Sequence, residues 1–252
     1  MAYTICIANQ KGGVGKTTTA INLSAALAVS EKRTLLVDCD PQANATSGVG
    51  IDKTAIQYSL YHGMIGQVGA ERLVLSTEIE TLKVIPSRLE LIGFEVEMMA
   101  TSGREQTLKN LLAGLQAAYD FIILDCPPSL SLLTVNAMTA ADAMLIPLQC
   151  EYYALEGLGQ LLQTIKRIQN KLNPRLSIAG ILLTMFDTRT NLSHQVAENA
   201  EKFFPELVFR TQIPRNVRLG EAPSFGKPIL LYDAASAGAR SYFALADEIL
   251  HQ

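Results

Sequence analysis

At the start of the chain an apolar segment is followed by a glycine-rich loop, and this pair of features is the strongest indication of the fold. Residues 3–8 are Tyr-Thr-Ile-Cys-Ile-Ala, and the loop after them is Asn9-Gln10-Lys11-Gly12-Gly13-Val14-Gly15-Lys16-Thr17-Thr18-Thr19. An Ala/Leu-rich stretch of helical length follows this loop. A strand, a glycine-rich turn and a helix in this order direct the first free amides of the helix towards one point, where they favour an anion.

The residue types in this loop fit a polyphosphate ligand. Gly15, Lys16 and Thr17 match the end of the phosphate-binding P-loop pattern G-x-x-x-x-G-K-[ST], and Gln10 stands in place of its first glycine. Lys16 is predicted to neutralise the β- and γ-phosphates of a nucleotide, and the Thr17 hydroxyl to bind Mg²⁺. The alternative is a glycine-rich turn without a nucleotide, which the Lys-Thr pair in this context disfavours. The predicted nucleotide contacts of the loop are Lys11, Gly12, Gly13, Val14, Gly15, Lys16, Thr17 and Thr18.

A second lysine stands at the start of the same loop. Lys11 is poorly placed to reach the phosphates that Lys16 contacts. If two subunits met face to face, Lys11 could contact the nucleotide of the partner, as an arginine finger does. The alternative is an ordinary surface lysine. The first interpretation makes the chain an ATP-driven dimerisation switch, with Lys11 acting in catalysis beside Lys16.

Carboxylates end two further apolar segments. Leu35-Leu36-Val37-Asp38-Cys39-Asp40 and Phe121-Ile122-Ile123-Leu124-Asp125 each run from apolar residues into aspartate. The carboxyl ends of parallel strands face the ligand crevice, although a single strand-terminal aspartate is often only a helix cap. Asp125 is predicted to hold Mg²⁺ directly or through water. Asp40 is predicted to position or activate the attacking water close to the same metal, and Asp38 to support the metal region.

Apolar segments alternate with amphipathic stretches along the whole chain, which predicts an α/β fold with a doubly wound, mostly parallel sheet and helices on both faces. No repeat or linker is evident, so residues 1–252 are expected to form one P-loop ATPase domain. The predicted strands are residues 3–8, 34–37, 82–85, 121–124, 143–148 and 178–184, with shorter candidates at 208–213 and 229–231. The predicted helices are residues 16–30, 108–117, 132–140, 154–172, 193–203 and 237–250.

Composition narrows the class of protein. The hydrophobic fraction is 48% and the charged fraction 18%, which is typical of a packed domain. The net charge is −3, so the overall charge does not indicate binding to nucleic acid. Residues 166–240 nevertheless carry eleven Lys/Arg against six Asp/Glu, either an ordinary solvated surface or a binding patch. The N-terminus has no basic segment typical of a signal peptide, and a cytoplasmic protein is expected.

Two further features separate possible functions. The cysteines Cys6, Cys39, Cys126 and Cys150 are scattered within apolar segments, which predicts buried, reduced thiols and disfavours an iron–sulfur site. Residues 237–250 have an apolar face, but their polar side holds more acidic than basic residues. A helix on a membrane surface would be rich in Lys and Arg, so we expect a packing helix and no membrane partner.

These motifs together resemble the ParA (Soj-like) branch of the ParA/MinD superfamily of deviant Walker ATPases. The resemblance spans nearly the whole chain. The segments that carry it are Lys11-Gly-Gly-Val-Gly-Lys-Thr-Thr18, Asp38-Cys-Asp-Pro-Gln42, Asp125-Cys-Pro-Pro128, Glu151-Tyr-Tyr-Ala-Leu-Glu-Gly157 and Ile213-Pro-Arg-Asn-Val-Arg-Leu-Gly-Glu-Ala-Pro-Ser224. It implies an ATP-bound homodimer that coats double-stranded DNA without sequence preference. It also implies release by a ParB-type partner that stimulates hydrolysis, nucleoid association, and a role in chromosome or plasmid partitioning.

The resemblance assigns roles residue by residue. It makes Lys11 the signature lysine, Asp40 the hydrolytic aspartate and Asp125 the Walker B acid. Pro214 and Asn216 correspond to a segment beside the adenine. Arg189 and Arg218 correspond to DNA-binding positions. Two departures are that Gly220 replaces the usual serine and that the chain starts at its first strand, so site-specific operator binding is not expected.

Other functions on the same fold remain open from the sequence. A MinD-like membrane ATPase, or an ATPase that positions another cargo, would share the phosphate loop. A reductase of the nitrogenase iron-protein type would need cysteines at one surface for a cluster. A small-molecule ligase such as dethiobiotin synthetase would not need Lys11.

Overall fold

A seven-stranded sheet forms the centre of the described residues, which are 1–151 and 154–251 of a computed structural model. Tyr152 and Tyr153 of the predicted 151–157 motif, and Gln252, lie outside them. The strand order is β3-β4-β2-β5-β1-β6-β7, and neighbours are parallel except that β3 runs antiparallel to β4. The strands are β1 (Tyr3–Ile7), β2 (Thr34–Asp38), β3 (Leu75–Ser76), β4 (Leu82–Ile85), β5 (Phe121–Asp125), β6 (Ala143–Gln149) and β7 (Ser177–Thr184).

Helices cover both faces of this sheet, as predicted. One face holds α1 and α11, which share a buried cluster with Leu36 and Ile123. The other face holds α5, α6, α7 and α8, whose buried residues join Leu35 and Leu124. The helices are α1 (Lys16–Val29), α2 (Asn44–Gly48), α3 (Leu60–Met64), α4 (Ile92–Glu97), α5 (Thr107–Leu112), α6 (Leu132–Ala140), α7 (Ala154–Lys171), α8 (Asn191–Phe203), α9 (Val217–Glu221), α10 (Ile229–Tyr232) and α11 (Ala237–Leu250).

The continuous apolar character of the strands has a structural cause. Successive side chains of β1 alternate between the two clusters, with Ile5 and Ile7 in one and Cys6 in the other. All three are fully buried. A strand packed on both faces needs apolar residues at every position rather than at every second one. The doubly wound architecture is therefore confirmed, with β1 in the sheet interior between β5 and β6.

The prediction of a strand at 208–213 is wrong. This segment meets β7 only through an isolated bridge between Ile181 and Val208 and a hydrogen bond from Ile213 N to Leu183 O. The amides of Arg210 and Thr211 instead donate to the Glu248 carboxylate of α11, at 2.8 and 3.0 Å. A side chain thus takes the donors that a continuous strand ladder would need.

Three smaller differences concern local structure. Residues 229–231, predicted as a strand, form the helical turn α10, which begins after Pro228 and whose Ile229 amide donates to Asn22 Oδ1 at 2.7 Å. A three-residue apolar run does not distinguish helix from strand. The helix predicted at 108–117 ends at Leu112 and continues as a 3₁₀ turn, Ala113–Leu115. The short elements α2, α3, α4, α9 and β3 were not predicted.

Among the described residues, no helix is both long and apolar enough to cross a membrane. The apolar face predicted for residues 237–250 lies in the core, where Tyr242, Leu245 and Ile249 of α11 are buried. The four cysteines are buried and unpaired, as predicted.

Candidate functional site: a phosphate loop beside an apolar cavity

The glycine-rich loop connects the interior strand β1 to α1. Gly13 and Gly15 have φ angles of +75° and +85°, which side chains other than that of glycine rarely adopt. Gly15 is the N-cap of α1, so the free amides at the start of the helix face the loop. The Thr184 hydroxyl of β7 donates to Val14 O at 2.9 Å and fixes the loop from the other side. The backbone is thus organised for an anion before any ligand binds.

Lys16 extends along the inside of this loop. Its side chain is 6% exposed, and its ammonium donates to Lys11 O at 2.9 Å. Burial lowers the pKa of Lys16, while the nearby Asp125 and Asp40 carboxylates act in the opposite direction. A buried ammonium tied to the loop backbone is positioned to meet phosphate oxygens.

An open cavity of about 350 Å³ lies against the loop. It is lined by Gly12, Gly13, Gly15, Lys16, Thr17, Thr18, Asp40, Gln42, Asn44, Pro128 and Met185. The structure therefore brings Asp40 to the same cavity as the P-loop pair, as the sequence predicted. Lys11 is not among the described residues that line this cavity.

Asp38 and Asp125 occupy paired positions at the ends of β2 and β5. Asp38 accepts hydrogen bonds from the Thr46 amide and hydroxyl, both at 2.7 Å, and from Asp40 N at 3.1 Å. Burial raises the pKa of Asp38 to about 6, although these hydrogen bonds act against the rise. Asp38 therefore joins the strand end to the loop that carries Asp40, and its support of a metal region stays a prediction.

Asp125 differs from Asp38 in its hydrogen bonding. Both of its carboxyl oxygens are buried, and neither accepts a hydrogen bond from the residues that the structure describes. Burial raises the pKa of Asp125 well above its ordinary value, the Asp38 charge adds to this, and the neighbouring Thr17 hydroxyl and Lys16 ammonium oppose it. Carboxylate and hydroxyl oxygens are the ligands that Mg²⁺ takes, together with water. Asp125 and Thr17 thus fit a hydrated Mg²⁺.

This orphaned carboxylate should reduce the stability of the nucleotide-free protein. We expect Asp125→Asn to raise its thermal midpoint by roughly 3–8 °C, because an unsatisfied buried charged group costs about 1–3 kcal/mol and each kcal/mol moves the midpoint of such a domain by about 2–4 °C. When the pKa of an acid is higher in the folded than in the unfolded state, the protein loses stability as the pH rises through the folded-state pKa. The difference between variant and wild type should therefore shrink as the pH falls, which calorimetry across pH measures.

Asp120 provides a control in which the same substitution should change the thermal midpoint in the opposite direction. Arg33 donates to it at 2.7 and 3.1 Å and lowers its pKa to about 2. Asp120→Asn should lower the midpoint rather than raise it. A lower midpoint for Asp125→Asn as well would show that the Asp125 carboxylate stabilises the nucleotide-free protein.

A second, smaller cavity adjoins the first. It measures about 190 Å³, shares Gly15, Thr18 and Met185 with the phosphate cavity, and is lined by Pro214 and Asn216. The segment before Asn216 runs beside the end of β7, where Arg215 N donates to Phe186 O and Phe186 N to Ile213 O, both at 3.0 Å. Pro214 and Asn216 thus line a cavity that adjoins the phosphate loop, and their contact with a base stays a prediction.

The signature lysine has a partner in its own chain. The Lys11 ammonium forms an ion pair with the Glu151 carboxylate, and the two side chains are 42% and 44% exposed. Asn9 Oδ1 accepts from the Lys11 amide at 3.1 Å and keeps the start of the loop in place. The Lys11 side chain therefore leaves the loop towards the outside, whereas Lys16 stays within it.

The predicted DNA-binding arginines lie on the surface. Arg189 follows β7 and is 83% exposed, and it forms hydrogen bonds of 2.9 and 2.7 Å with the Asp187 carboxylate. Arg218 lies on α9 and pairs with Glu221 at 2.9 Å and Asp233 at 3.6 Å. Both cations are thus accessible, but each has an acidic neighbour in its own chain.

Several residues of the site were not predicted. Met185 lines both cavities and has φ +51°, a conformation that non-glycine residues rarely adopt and that clusters at functional sites. No sequence pattern predicts that Met185 lies in the site. Gln42 lies in the quoted Asp-Pro-Gln motif, which could have suggested its place in the cavity. The pairing of Glu151 with Lys11 joins residues 140 positions apart and has no local signal.

A parallel sheet with this loop after an interior strand, and acids at the ends of the neighbouring strands, defines a P-loop nucleoside triphosphatase. Comparisons with known proteins agree. An AAA domain family model matches residues 2–178. The chain is 56% identical to the chromosome partitioning protein ParA of Myxococcus xanthus over 98% of this chain and 87% of that protein. It is 54% identical to the sporulation initiation inhibitor protein Soj of Bacillus subtilis over 99% of this chain and 98% of that protein.

The chain belongs to the ParA/Soj family of chromosome-partitioning ATPases. Solved structures extend the comparison. Cobyrinic acid a,c-diamide synthase from Mycobacterium smegmatis, crystallised with bound ADP and magnesium, superposes with a TM-score of 0.88 at 37% identity, covering 100% of this chain and 95% of that one.

Proposed function

We propose that this chain is an ATP-driven dimerisation switch that binds double-stranded DNA without sequence preference and partitions chromosomes or plasmids with a ParB-type partner. Residues 1–252 would form a single domain, and the protein would associate with the nucleoid in the cytoplasm. The observation that carries the proposal is the position of the two loop lysines. Lys16 is buried inside the loop, whereas Lys11 is exposed, pairs with Glu151 and is not among the described residues that line the phosphate cavity.

The hydrolytic half of the proposal uses the residues of the phosphate cavity. The loop amides and Lys16 would bind the β- and γ-phosphates of ATP, and Thr17 and Asp125 would hold Mg²⁺, with Asp40 lining the same cavity as Thr17. When bound, Mg²⁺ neutralises charge on the phosphates. Asp40 lies at the cavity wall, where it orients and deprotonates the attacking water. Pro214 and Asn216 contact the base.

Lys11 supplies the reason for a dimer. A cation that pairs with Glu151 outside its own phosphate cavity is placed to act on phosphates brought by another molecule. In a two-fold dimer with facing loops, each Lys11 would enter the cavity of its partner and stabilise the charge of the transferred phosphoryl group. The partner phosphates would then replace Glu151 as the counter-ion of Lys11.

DNA binding is assigned to the surface around Arg189 and Arg218. Arg189 and Arg215 line one open groove of about 530 Å³, and Asp187 also lines it. Phosphate contacts alone give binding without base readout. Each subunit would offer few such contacts, and a two-fold dimer doubles their number, which explains how a chain of net charge −3 binds a polyanion.

A salt titration tests this assignment. With the ATP-locked Asp40→Ala protein, we expect binding of fluorescent duplex to need ATP, to ignore sequence and to weaken steeply with salt. Arg189→Ala and Arg218→Ala should each flatten the slope of log K against log salt by roughly two per dimer, since one phosphate contact is lost per subunit and each contributes about 0.9. ATP hydrolysis without DNA should survive both changes.

Arg33→Ala is the matched control, because Arg33 is 55% exposed, as Arg218 is, and is also paired with an aspartate. Its slope should equal that of the parent. Unchanged slopes for both Arg189→Ala and Arg218→Ala would place the DNA surface elsewhere. No binding by the locked parent would argue against a DNA-based function.

No specific observation favours any of the alternative functions. A MinD-like membrane ATPase would use an amphipathic terminal helix, but the apolar face of α11 is packed against α1. A cluster-bearing reductase would need accessible cysteines, and all four are buried. A small-molecule ligase would not need a second lysine at the start of the loop.

A further inference from the structure

One short helix of the protein is apolar on both sides. The side chains of Leu91 and Phe94 point into the core and are fully buried. The opposite side forms what we call the α4 face, in which four large apolar side chains are 54–69% exposed: Leu89, Ile92, Val96 and Met99. Ile92 and Val96 lie one turn apart on α4, while Leu89 and Met99 extend the row into the 3₁₀ turn before the helix and the turn after it. A contiguous apolar row in solvent marks an interaction site.

Acidic side chains flank this row. Segment 88–106 carries Glu90, Glu95, Glu97 and Glu105 against Arg88 and Arg104. Both arginines are engaged within the chain: Arg88 lies 3.8 Å from Glu90 and Arg104 lies 3.4 Å from Glu105. Glu95 and Glu97 lie within 4.0 Å of no basic side chain in the part of the chain that the structure describes. The row is therefore bordered by unmatched negative charge.

The α4 face is also connected to the catalytic centre. Glu95 Oε1 accepts from Leu133 N, 3.4 Å away in the first turn of α6. Asn136 of the same helix donates to Arg104 O at 2.9 Å and accepts from Leu108 N at 3.0 Å. The segment 126–131 joins α6 directly to Asp125 at the end of β5. A molecule that displaces α4 would therefore pull on the segment next to the Mg²⁺-binding carboxylate.

We propose that the α4 face docks a basic amphipathic helix carried by the protein partner that stimulates ATP hydrolysis. A row of apolar residues at helical spacing fits the ridge of a second helix, and Lys or Arg beside that ridge would match Glu95 and Glu97. An anionic membrane would be repelled by these carboxylates. A second copy of this chain would bring the same acidic border against itself across a two-fold axis. The inference rests on the proposed function and names the site at which its partner acts.

The test uses the full-length chain with ATP and the ParB-type protein of the same cell. With p-benzoylphenylalanine in place of Val96, irradiation should crosslink the ParB-type protein within a helical segment rich in Lys and Arg. Val96→Ser should weaken the affinity about tenfold, as expected for a central apolar contact. Glu97→Lys should weaken it further and reduce its salt dependence. Unstimulated ATP hydrolysis should stay at the wild-type rate in each variant.

Phe203→Ser and Glu80→Lys are matched controls, because Phe203 is 64% exposed outside the α4 face and Glu80 is an exposed glutamate away from it. Both should bind the ParB-type protein as wild type does. Unchanged affinity in Val96→Ser, or crosslinks only to a second copy of this chain, would overturn the docking site. Failure of the ParB-type protein to stimulate the wild type would overturn the proposed function and the docking site with it.

Discussion

Asp40→Ala is expected to slow ATP hydrolysis by about 10²–10³-fold, while the affinity for ATP stays within about threefold of the wild-type value. Lys16 and the loop amides supply binding in the ground state, whereas Asp40 is assigned to the water that attacks. ATP should therefore remain bound, and the ATP-bound dimer should accumulate. Light scattering with excess ATP should report the mass of a stable dimer, and phosphate release should report the stalled turnover.

Asp40 also has a structural role that this experiment must separate from its chemistry. Its carboxylate accepts from Gln42 N at 2.9 Å. Asp40→Asn keeps an acceptor for that amide but removes the base, so it should stall turnover as the alanine variant does. Asp52→Ala, at an exposed aspartate of a nearby loop, should hydrolyse ATP normally. A wild-type rate in Asp40→Asn would remove Asp40 from the mechanism.

Lys11→Ala is expected to abolish ATP-dependent dimerisation while the monomer still binds nucleotide. The exposed ammonium lies outside the residues that line its own phosphate cavity, and the proposal assigns its phosphate contact to a partner. Lys16→Ala should instead lose nucleotide binding, because that buried ammonium lies within the loop of the same subunit. Sedimentation with and without ATP, together with a fluorescent nucleotide titration, distinguishes the two variants.

Glu151→Gln extends the same test. If Glu151 holds Lys11 until dimerisation, removing its charge should strengthen the ATP-dependent dimer by up to about fivefold, the effect of an exposed ion pair worth about 0.2–1 kcal/mol. Glu78→Gln is the control, since Glu78 also forms an exposed ion pair with a lysine, Lys227, but lines neither cavity of the site. Normal dimerisation of both Lys11→Ala and Lys16→Ala would contradict the facing-loop arrangement.

The parts of the site that were predictable share a local cause. The loop, Asp40 and Asp125 each follow an apolar strand, and buried parallel strands are recognisable because every residue in them is apolar. Parallel strands bring their carboxyl ends to one edge, so the sequence was enough to place these residues together. Pro214 and Asn216 came from a family resemblance, and the structure brings them beside the loop.

What was not predictable depends on contacts between distant residues. Met185 takes its strained backbone from the loops around it, and Glu151 meets Lys11 across 140 residues. The segment 208–213 has the composition of a strand, but Glu248 from the last helix takes its amide donors. The α4 face was missed because α4 itself, a helix of only six residues, was not predicted, and the exposure of its apolar residues depends on the surrounding fold.

The two halves of the ligand site are anchored with different strength. The phosphate loop follows β1, which is hydrogen-bonded on both sides, to β5 and to β6. The segment that carries Pro214 and Asn216 is joined to the edge strand β7 by an isolated bridge and individual backbone bonds. Local opening costs less where fewer bonds must break, so this segment should open far more often than the loop. A nucleotide would then detach base first and stay tethered by its phosphates. The protein should consequently discriminate strictly by the number of phosphates and loosely by the identity of the base.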